Sequence, residues 1–176
     1  MRLINAFTSF AAGMFFAPSP QAGHKITLRN NCGHPVNLRL SNWPGHPPYN
    51  GPPIGRIPAR SSKSITVPNG WDGRICEATG GCGGDGNCYG KCSMSEFNMD
   101  SKGKHYYDIS NIQAFTVAQR INAGGNCQTV TCNSAQCPCD QAYGIGNMAG
   151  TCPGSNTPDR PVRACEAPDF TVVYCP

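Results

Sequence analysis

The twelve cysteines constrain this 176-residue chain more than any other feature. In a secreted protein an even number of cysteines indicates a disulfide framework, whereas in a cytosolic protein the same number would suggest a metal site. Cys127, Cys132, Cys137 and Cys139 lack the paired spacing of a zinc site, and no histidine stands among them. We therefore expect disulfides, no metal site and no cofactor.

The N-terminus favours secretion. Arg2 is followed by the mostly apolar stretch Leu3–Ala17, which is too short to cross a bilayer as a helix. A Ser-Pro-Gln-Ala sequence ends at Ala22, so residues 1–22 are predicted to be a signal peptide whose exact cleavage site stays open. Residues 23–176 have the length of a single domain. We expect this domain to be secreted, to the cell exterior or the cell wall, and not to be transmembrane.

The charge pattern argues against a nucleic-acid partner. The formal net charge is +4, and no long run of one sign occurs along the chain. Such a charge favours acidic surfaces only weakly and in a salt-dependent way. We expect a monomer.

Short alternating segments between turn residues predict an all-β chain. Apolar and polar residues alternate in Lys25–Arg29, Pro35–Leu40 and Ser64–Val67, and Phe170–Cys175 has the composition of a closing strand. The 21 glycines and 16 prolines suit short strands joined by turns. The sequence therefore predicts an antiparallel β-sandwich with disulfide-tied loops.

The stretch Ser95–Ile121 carries two candidate functional carboxylates, Glu96 and Asp108. From Tyr106 onward this stretch is rich in aromatic and β-branched residues, as strands are. The alternation points Tyr107 to one face of the predicted strand and Asp108 to the other. Asp108 is therefore expected on an accessible face of the sheet, where it could meet a ligand or simply be solvated.

Five segments, in this order, resemble the thaumatin-like proteins, also known as pathogenesis-related family five. The segments are Ile26–Cys32, Gly73–Ile75, Ser95–Phe97, Tyr107–Ile112 with Phe115, and Phe170–Pro176. Much of the family's second domain is missing between Cys152 and Cys165, so the chain is similar to the small type known from cereals and fungi. The resemblance implies a flattened sandwich of ten or eleven strands with a reduced second domain.

The resemblance also implies a disulfide pattern. The implied pairs are Cys32–Cys175, Cys127–Cys165, Cys82–Cys88 and Cys76–Cys92. The last pair departs from the family, in which an aromatic residue commonly occupies the position of Cys76. Four cysteines remain to pair among themselves in an order that their spacing leaves open: Cys132, Cys137, Cys139 and Cys152.

Many thaumatin-like proteins have a cleft lined by one arginine, one glutamate and three aspartates. The matching residues here are Arg74, Glu96 and Asp108, while Gln113 stands at the second aspartate position. The third aspartate falls in the shortened region, where Asp159 or Asp169 could replace it. The expected ligand-binding residues, in a less acidic cleft than that of antifungal plant members, are Arg74, Glu96, Tyr106, Asp108 and Gln113.

The leading functional hypothesis is binding of cell-wall polysaccharide, β-1,3-glucan above others, in antifungal defence or cell-wall remodelling. A weak endo-β-1,3-glucanase would use Glu96 as the catalytic acid and Asp108 as the second carboxylate. Gln113 counts against this enzyme, because its amide cannot ionise. A third hypothesis is a membrane-perturbing or receptor-binding extracellular protein. The structural alternative is that Arg74, Glu96 and Asp108 only form a partly buried ion-pair network.

Several aromatic residues are candidate sugar platforms, because a flat ring covers the apolar face of a pyranose. Trp43 and Tyr49 stand in a polar loop and are better candidates for exposure than Trp71 and Tyr107, which could equally be core residues. His105 lies beside the predicted site and is expected to be an ordinary surface histidine.

Overall fold

A computed structural model describes residues 23–82 and 87–176 of the chain. The predicted signal peptide, residues 1–22, lies outside this range. The described part of the chain has no helix with the length and apolar character that a bilayer crossing requires. Apart from the short 3-10 turn Ala78–Gly80, its regular elements are β1 (Gly23–Asn30), β2 (Val36–Asn42), β3 (Gly55–Ile57), β4 (Ser62–Pro68), β5 (Asp72–Glu77), β6 (Met94–Ser101), β7 (Lys104–Ser110), β8 (Gln119–Asn122), β9 (Val130–Cys132), β10 (Arg163–Cys165) and β11 (Phe170–Tyr174).

The strands form two sheets, as the alternating sequence pattern predicts. The five-stranded sheet has the order β4-β1-β11-β8-β9, and the six-stranded sheet has the order β10-β7-β6-β5-β2-β3. Neighbouring strands are antiparallel except β1 and β11, which run parallel with Ile26 beside Phe170. The parallel pair places the first and last described strands side by side in the middle of one sheet.

The hydrophobic core fills the space between the two sheets. Phe170 of β11 packs edge-on against Phe97 at 5.4 Å and Tyr107 at 5.3 Å between ring centroids, so aromatic contacts join the sheets. Trp71 and Tyr107 are buried in this core rather than exposed to a ligand. Burying side chains of this size stabilises the fold by about 1.5–3 kcal/mol each.

All twelve cysteines form disulfides, and four of the six bonds match the expected grouping. Cys32–Cys175 closes a loop with a sequence separation of 143. In a chain-entropy model a loop of this length contributes about 4–5 kcal/mol by restricting the unfolded chain. The remaining three of these bonds are Cys127–Cys165, Cys132–Cys137 and Cys139–Cys152.

Two predicted disulfides are corrected by the structure. Cys76 bonds to Cys88 and Cys82 to Cys92, instead of Cys82–Cys88 and Cys76–Cys92. Cys88 lies against β2, where its Sγ is 3.8 Å from the carbonyl oxygen of Arg39. Arg39 is the cross-strand partner of Cys76, so Cys88 lies close to Cys76. The four cysteines form one buried cluster with Met94, so spacing along the chain could not decide between the pairings.

Candidate functional site

Three of the predicted site residues, Arg74, Glu96 and Asp108, lie in one row across the outer face of the six-stranded sheet. Ser41 pairs with Arg74, Arg74 with Glu96, and Glu96 with Asp108 on adjacent antiparallel strands. Their neighbours in sequence, such as Ile75 and Tyr107, point to the core. Because successive side chains of a strand point to opposite faces, the residues of the row point away from the core. The alternation of each strand and the register between strands thus bring together residues that are far apart in sequence.

A cleft of about 400 Å³ opens over this row. Four of the five predicted ligand-binding residues line it, namely Arg74, Glu96, Tyr106 and Asp108. The other lining residues come from strands β5, β6 and β7, the loop after β2, the segment after β7 and the long segment before β10. They are Trp43, Asp72, Phe97, Asn98, Tyr107, Ile112, Tyr143, Met148 and Val162.

Gln113 lies outside the residues that line the cleft. Its Oε1 accepts a hydrogen bond from the backbone N–H of Gly90 at 2.8 Å, so it ties the chain after β7 to the loop before β6. The chain leaves the strand after Ser110 and does not resume regular structure until Gln119, which removes Gln113 from the alternating row.

Arg74 is held by an anion and two aromatic rings. Its Nε lies 3.6 Å from Oε1 of Glu96, and its guanidinium carbon lies 4.9 Å from the Trp43 ring centroid and 5.7 Å from that of Tyr89. An arginine over aromatic faces gains about 0.5–2 kcal/mol from cation–π attraction, depending on its solvation. This arrangement fixes the Arg74 guanidinium and, with it, the orientation of Trp43.

Asp108 differs from the sequence expectation, because it is buried although it belongs to the outer face. Only 8% of its surface is exposed, and its Oδ1 has no hydrogen-bond partner among the described residues. Burial raises the pKa of Asp108 well above its ordinary value, the charges of Glu96 and Asp159 raise it further, and Arg74 opposes them. The physical result is a carboxyl group that retains its proton to a higher pH than an ordinary aspartate.

Tyr143 provides the cover over Asp108. Its backbone N–H donates to the carbonyl of Ile109 at 2.9 Å, and its own carbonyl accepts from the N–H of Asn111 at 2.9 Å, so this segment lies along the end of β7. The Tyr143 hydroxyl donates to Oδ1 of Asp159 at 2.6 Å. Burial, followed by this hydrogen bond, raises the pKa of Tyr143, which keeps the hydroxyl a donor.

The same contacts separate the two candidates for the third aspartate. Asp159 lies behind Tyr143 and raises the pKa of Asp108, so it belongs to the electrostatic surroundings of the cleft. Asp169 is far from this face: it pairs with Lys25 at 3.8 Å and accepts from the Lys25 backbone N–H at 3.0 Å.

Two cleft residues, Asp72 and Asn98, were missed by sequence reasoning. The Asn98 amide donates to Oδ2 of Asp72 at 2.6 Å, and His46 lies 3.8 Å from the same oxygen. Burial raises the pKa of Asp72, although His46, Arg74 and Asn98 counteract it. The alternation of the strands could have identified both residues. Asp72 stands two residues before Arg74 and Asn98 two residues after Glu96, so both lie on the same outward face.

Exposed aromatic surface at the cleft comes from Trp43. It is 46% exposed. Its backbone N–H donates to the carbonyl of Asp72 at 2.8 Å, which fixes Trp43 beside the start of β5. Tyr49 is only partly exposed and donates its hydroxyl to the carbonyl of Pro52. Of the two loop aromatics, Trp43 is therefore the one that meets the cleft.

Comparisons with known proteins agree with this fold. No family model matches the sequence. Pathogenesis-related protein 5 of Arabidopsis thaliana is 30% identical, in a match that covers 64% of this chain and 56% of that protein. The chain thus spans little more than half the length of this relative.

Solved structures with a similar fold include a protein elicitor and a xylanase inhibitor. The protein elicitor MoHrip2 from Magnaporthe oryzae has a TM-score of 0.53 at 15% identity, covering 87% of this chain and 99% of its own. The thaumatin-like xylanase inhibitor TLXI has a TM-score of 0.59 at 16% identity, covering 86% and 99%.

The two-sheet sandwich, tied by disulfides and bearing this cleft, defines a thaumatin-like fold. The sequence match to a pathogenesis-related protein 5 agrees with the structural similarity. The chain therefore has a thaumatin-like fold and is similar in sequence to a pathogenesis-related protein 5.

Proposed function

We propose that this protein binds a neutral cell-wall polysaccharide, β-1,3-glucan above others, in the cleft over Arg74, Glu96 and Asp108. The observation that carries the proposal is the open cleft itself, which is lined by Arg74, Glu96 and Asp108 and flanked by the exposed ring of Trp43. A protonated carboxyl both donates and accepts a hydrogen bond, which is the complement of a sugar hydroxyl.

The remaining lining suits a chain of sugar rings. Trp43 offers an exposed apolar face of the kind that stacks on a pyranose. Glu96, Asn98 and Tyr106 supply acceptors and donors along the same wall. A few polar groups that orient a ligand over apolar and aromatic surface are typical of small-molecule sites.

The proposed setting is extracellular, in defence against fungi or in remodelling of the cell wall. Six disulfides suit an oxidising compartment outside the cell. The relative is a pathogenesis-related protein, and the structural neighbours are a protein elicitor and a xylanase inhibitor. These names support a role at the boundary between a cell wall and its surroundings.

Binding is favoured over hydrolysis by the distribution of charge in the cleft. A glycosidase needs one carboxylic acid that reaches the glycosidic oxygen and a second, ionised carboxylate. Here burial raises the pKa of Asp108, the residue that the sequence suggested as the second, ionised carboxylate. Glu96 instead forms the ion pair with Arg74.

The test is retention of the purified protein on insoluble β-1,3-glucan. We expect the unaltered protein to sediment with the polymer, and Trp43→Ala and Glu96→Gln to lose at least about tenfold in affinity, or about 1.4 kcal/mol. Asp169→Asn removes a carboxylate on the opposite sheet and should bind normally. Failure of the unaltered protein to bind, or equal binding by Trp43→Ala, would overturn the proposal.

Hydrolysis is tested separately by the release of reducing sugar from laminarin. The binding proposal expects no release that depends on the cleft. Release that is lost in both Glu96→Gln and Asp108→Asn would instead assign the glucanase activity to this pair.

A further inference from the structure

We propose that the outward face of the five-stranded sheet is a second binding surface, which takes an anionic polysaccharide whose sugar rings carry carboxylates. This surface, the basic face, consists of Lys25, Arg29 and Arg120 with the hydroxyl and amide side chains between them. It belongs to the opposite sheet from the cleft, and none of its three cations lines the cleft. The proposal is therefore independent of β-1,3-glucan binding.

Strand alternation and register place the cations of the basic face. Lys25 and Arg29 of β1 and Arg120 of β8 are exposed, while the residues next to them in sequence point to the core. Arg29 is the neighbour of Val173 on β11, and Val173 is the neighbour of Arg120. The two arginines thus stand in one row, separated by two strand spacings or about 10 Å.

The histidine of β1 does not belong to the basic face. His24 is 6% exposed and points to the core, where it contacts Asp100 and His105. His105 is 7% exposed, so the expectation of a surface histidine at position 105 is wrong. Within the described strands of this sheet, the outward charge therefore comes from lysine and arginine.

The hydrogen bonds of both arginines leave their charge available to a ligand. Nε of Arg29 donates to Oδ1 of Asn31 at 3.0 Å, and Nε of Arg120 donates to Oγ1 of Thr131 at 3.2 Å. Both acceptors are neutral, and among the described residues no carboxylate forms an ion pair with either arginine. The Nε contact orients each guanidinium, and its two terminal amino groups can then hold a carboxylate with two parallel hydrogen bonds.

A row of uncharged polar side chains crosses the same face. Ser64, Thr27, Thr171 and Asn122 are neighbours in register on four adjacent strands. A shallow depression of about 270 Å³ is lined by three of them, Thr27, Thr171 and Asn122, together with Lys25. Hydroxyl and amide groups both donate and accept hydrogen bonds, as the hydroxyls of a sugar ring do.

The distribution of charge between the two sheets favours an anionic polymer on the basic face. Its nearby acid is Asp169, which pairs with Lys25 at 3.8 Å. The cleft on the other sheet is instead lined by three acidic residues, Asp72, Glu96 and Asp108. Because complementary charge guides association and like charge opposes it, a polyanion is attracted to the basic face and disfavoured at the cleft.

A hydroxyl-rich polymer fits the basic face better than a membrane or a nucleic acid. The large hydrophobic side chains that are exposed among the described residues are Trp43, Tyr89, Ile145 and Met148, and none of them belongs to a strand of this sheet. Proteins that lie on membranes bury such side chains among the headgroups. Proteins that bind single-stranded nucleic acid stack bases on aromatic rings, whereas the side chain between the two arginines is Val173.

The test is binding of the oxidised, full-length purified protein to polygalacturonate, measured by calorimetry at low and high sodium chloride. We expect binding that weakens as salt rises, because exposed charges are screened. Arg29→Gln/Arg120→Gln should lose at least about tenfold in affinity. Arg39→Gln/Arg56→Gln is the matched control: it removes two exposed arginines from the six-stranded sheet, changes the net charge equally and should bind within about twofold of the unaltered protein.

A gain of binding provides a test that a misfolded variant could not pass. Asp169→Asn removes the acid beside Lys25 and should strengthen polygalacturonate binding about two- to threefold, the size of a surface ion pair. Arg29→Gln/Arg120→Gln should still sediment with insoluble β-1,3-glucan as the unaltered protein does, so failure of one binding surface is distinguishable from failure of the other.

Four results would overturn the proposal. They are no binding to polygalacturonate at low salt, equal losses in the two double-arginine variants, equal binding to fully methyl-esterified pectin, and unchanged or weaker binding by Asp169→Asn. Binding to phosphatidylserine vesicles without binding to polygalacturonate would overturn it too, and would assign the basic face to a membrane.

Discussion

Glu96 and Asp108 are direct cross-strand neighbours on β6 and β7, so two carboxyl groups stand side by side on one face of a sheet. Side chains directly opposite each other have Cβ atoms about 4.5–5.5 Å apart, and like charges at this distance are destabilising. The protein accommodates the pair unequally: Glu96 is 27% exposed and faces Arg74, whereas Asp108 is buried with a raised pKa. The two carboxyls therefore have different properties despite their equivalent positions in the strands.

Asp108→Asn is expected to stabilise the protein at pH 7 by about 1–3 kcal/mol, the order of a desolvation penalty, because folding at this pH must either protonate the buried carboxyl or bury its charge. The folded-state pKa of Asp108 is raised, so its contribution to stability is fully present below the ordinary value of 3.8 and is lost as the pH rises through the folded-state pKa. The asparagine does not ionise, and its amide can donate to Glu96. Urea unfolding at pH 7 and pH 3 measures the effect, and the gain should disappear at pH 3. Asp169→Asn, which changes an exposed carboxylate, should show no comparable gain; a loss of stability in Asp108→Asn at pH 7 would contradict the account.

Arg74→Met is expected to destabilise the protein by about 1–3 kcal/mol, less than the 3–5 kcal/mol of a fully buried pair, because Glu96 is partly solvated. The substitution removes the cation that offsets both carboxyls and leaves Trp43 and Tyr89 without the guanidinium they cover. A double-mutant cycle with Glu96→Gln measures the coupling by chemical denaturation. We expect the double variant to be more stable than the sum of the single effects predicts, and strict additivity would show that the ion pair contributes nothing.

The row of site residues could be predicted from the sequence because two simple rules produce it. Strand alternation decides the face, and the resemblance to the thaumatin-like proteins indicated which residues share a cleft. Applied to the next outward-facing positions, two residues along each strand, the alternation also identifies Asp72 and Asn98.

The burial of Asp108 could not be predicted in this way. It depends on Tyr143, which returns to β7 from a loop more than thirty residues later. Nothing local in the sequence indicates that this contact forms. The position of Gln113 and the meeting of His24 with His105 were missed for the same reason, since both depend on packing between segments distant in sequence.

The disulfide Cys32–Cys175 is expected to contribute far more to stability than Cys132–Cys137. Their sequence separations are 143 and 5, and the loop-entropy relation converts this ratio into a difference of about 3 kcal/mol. The measurement compares urea unfolding of the Cys32→Ser/Cys175→Ser and Cys132→Ser/Cys137→Ser variants. Equal losses in the two variants would show that unfolded-chain entropy does not determine the contribution of these bonds.

The corrected pairing of Cys76 with Cys88 and of Cys82 with Cys92 makes a direct prediction for peptide mapping. Cleavage after Arg74, Glu77, Lys91 and Glu96 under non-reducing conditions yields the peptides 75–77, 78–91 and 92–96. Because peptide 78–91 contains both Cys82 and Cys88, the observed pairing joins all three peptides into one species. The pairing implied by the family resemblance would instead join 75–77 to 92–96 and release 78–91 with an internal bond. Digestion at acidic pH prevents exchange, since thiolate is the reactive form. Mass spectrometry distinguishes these products, and release of 78–91 would restore the original prediction.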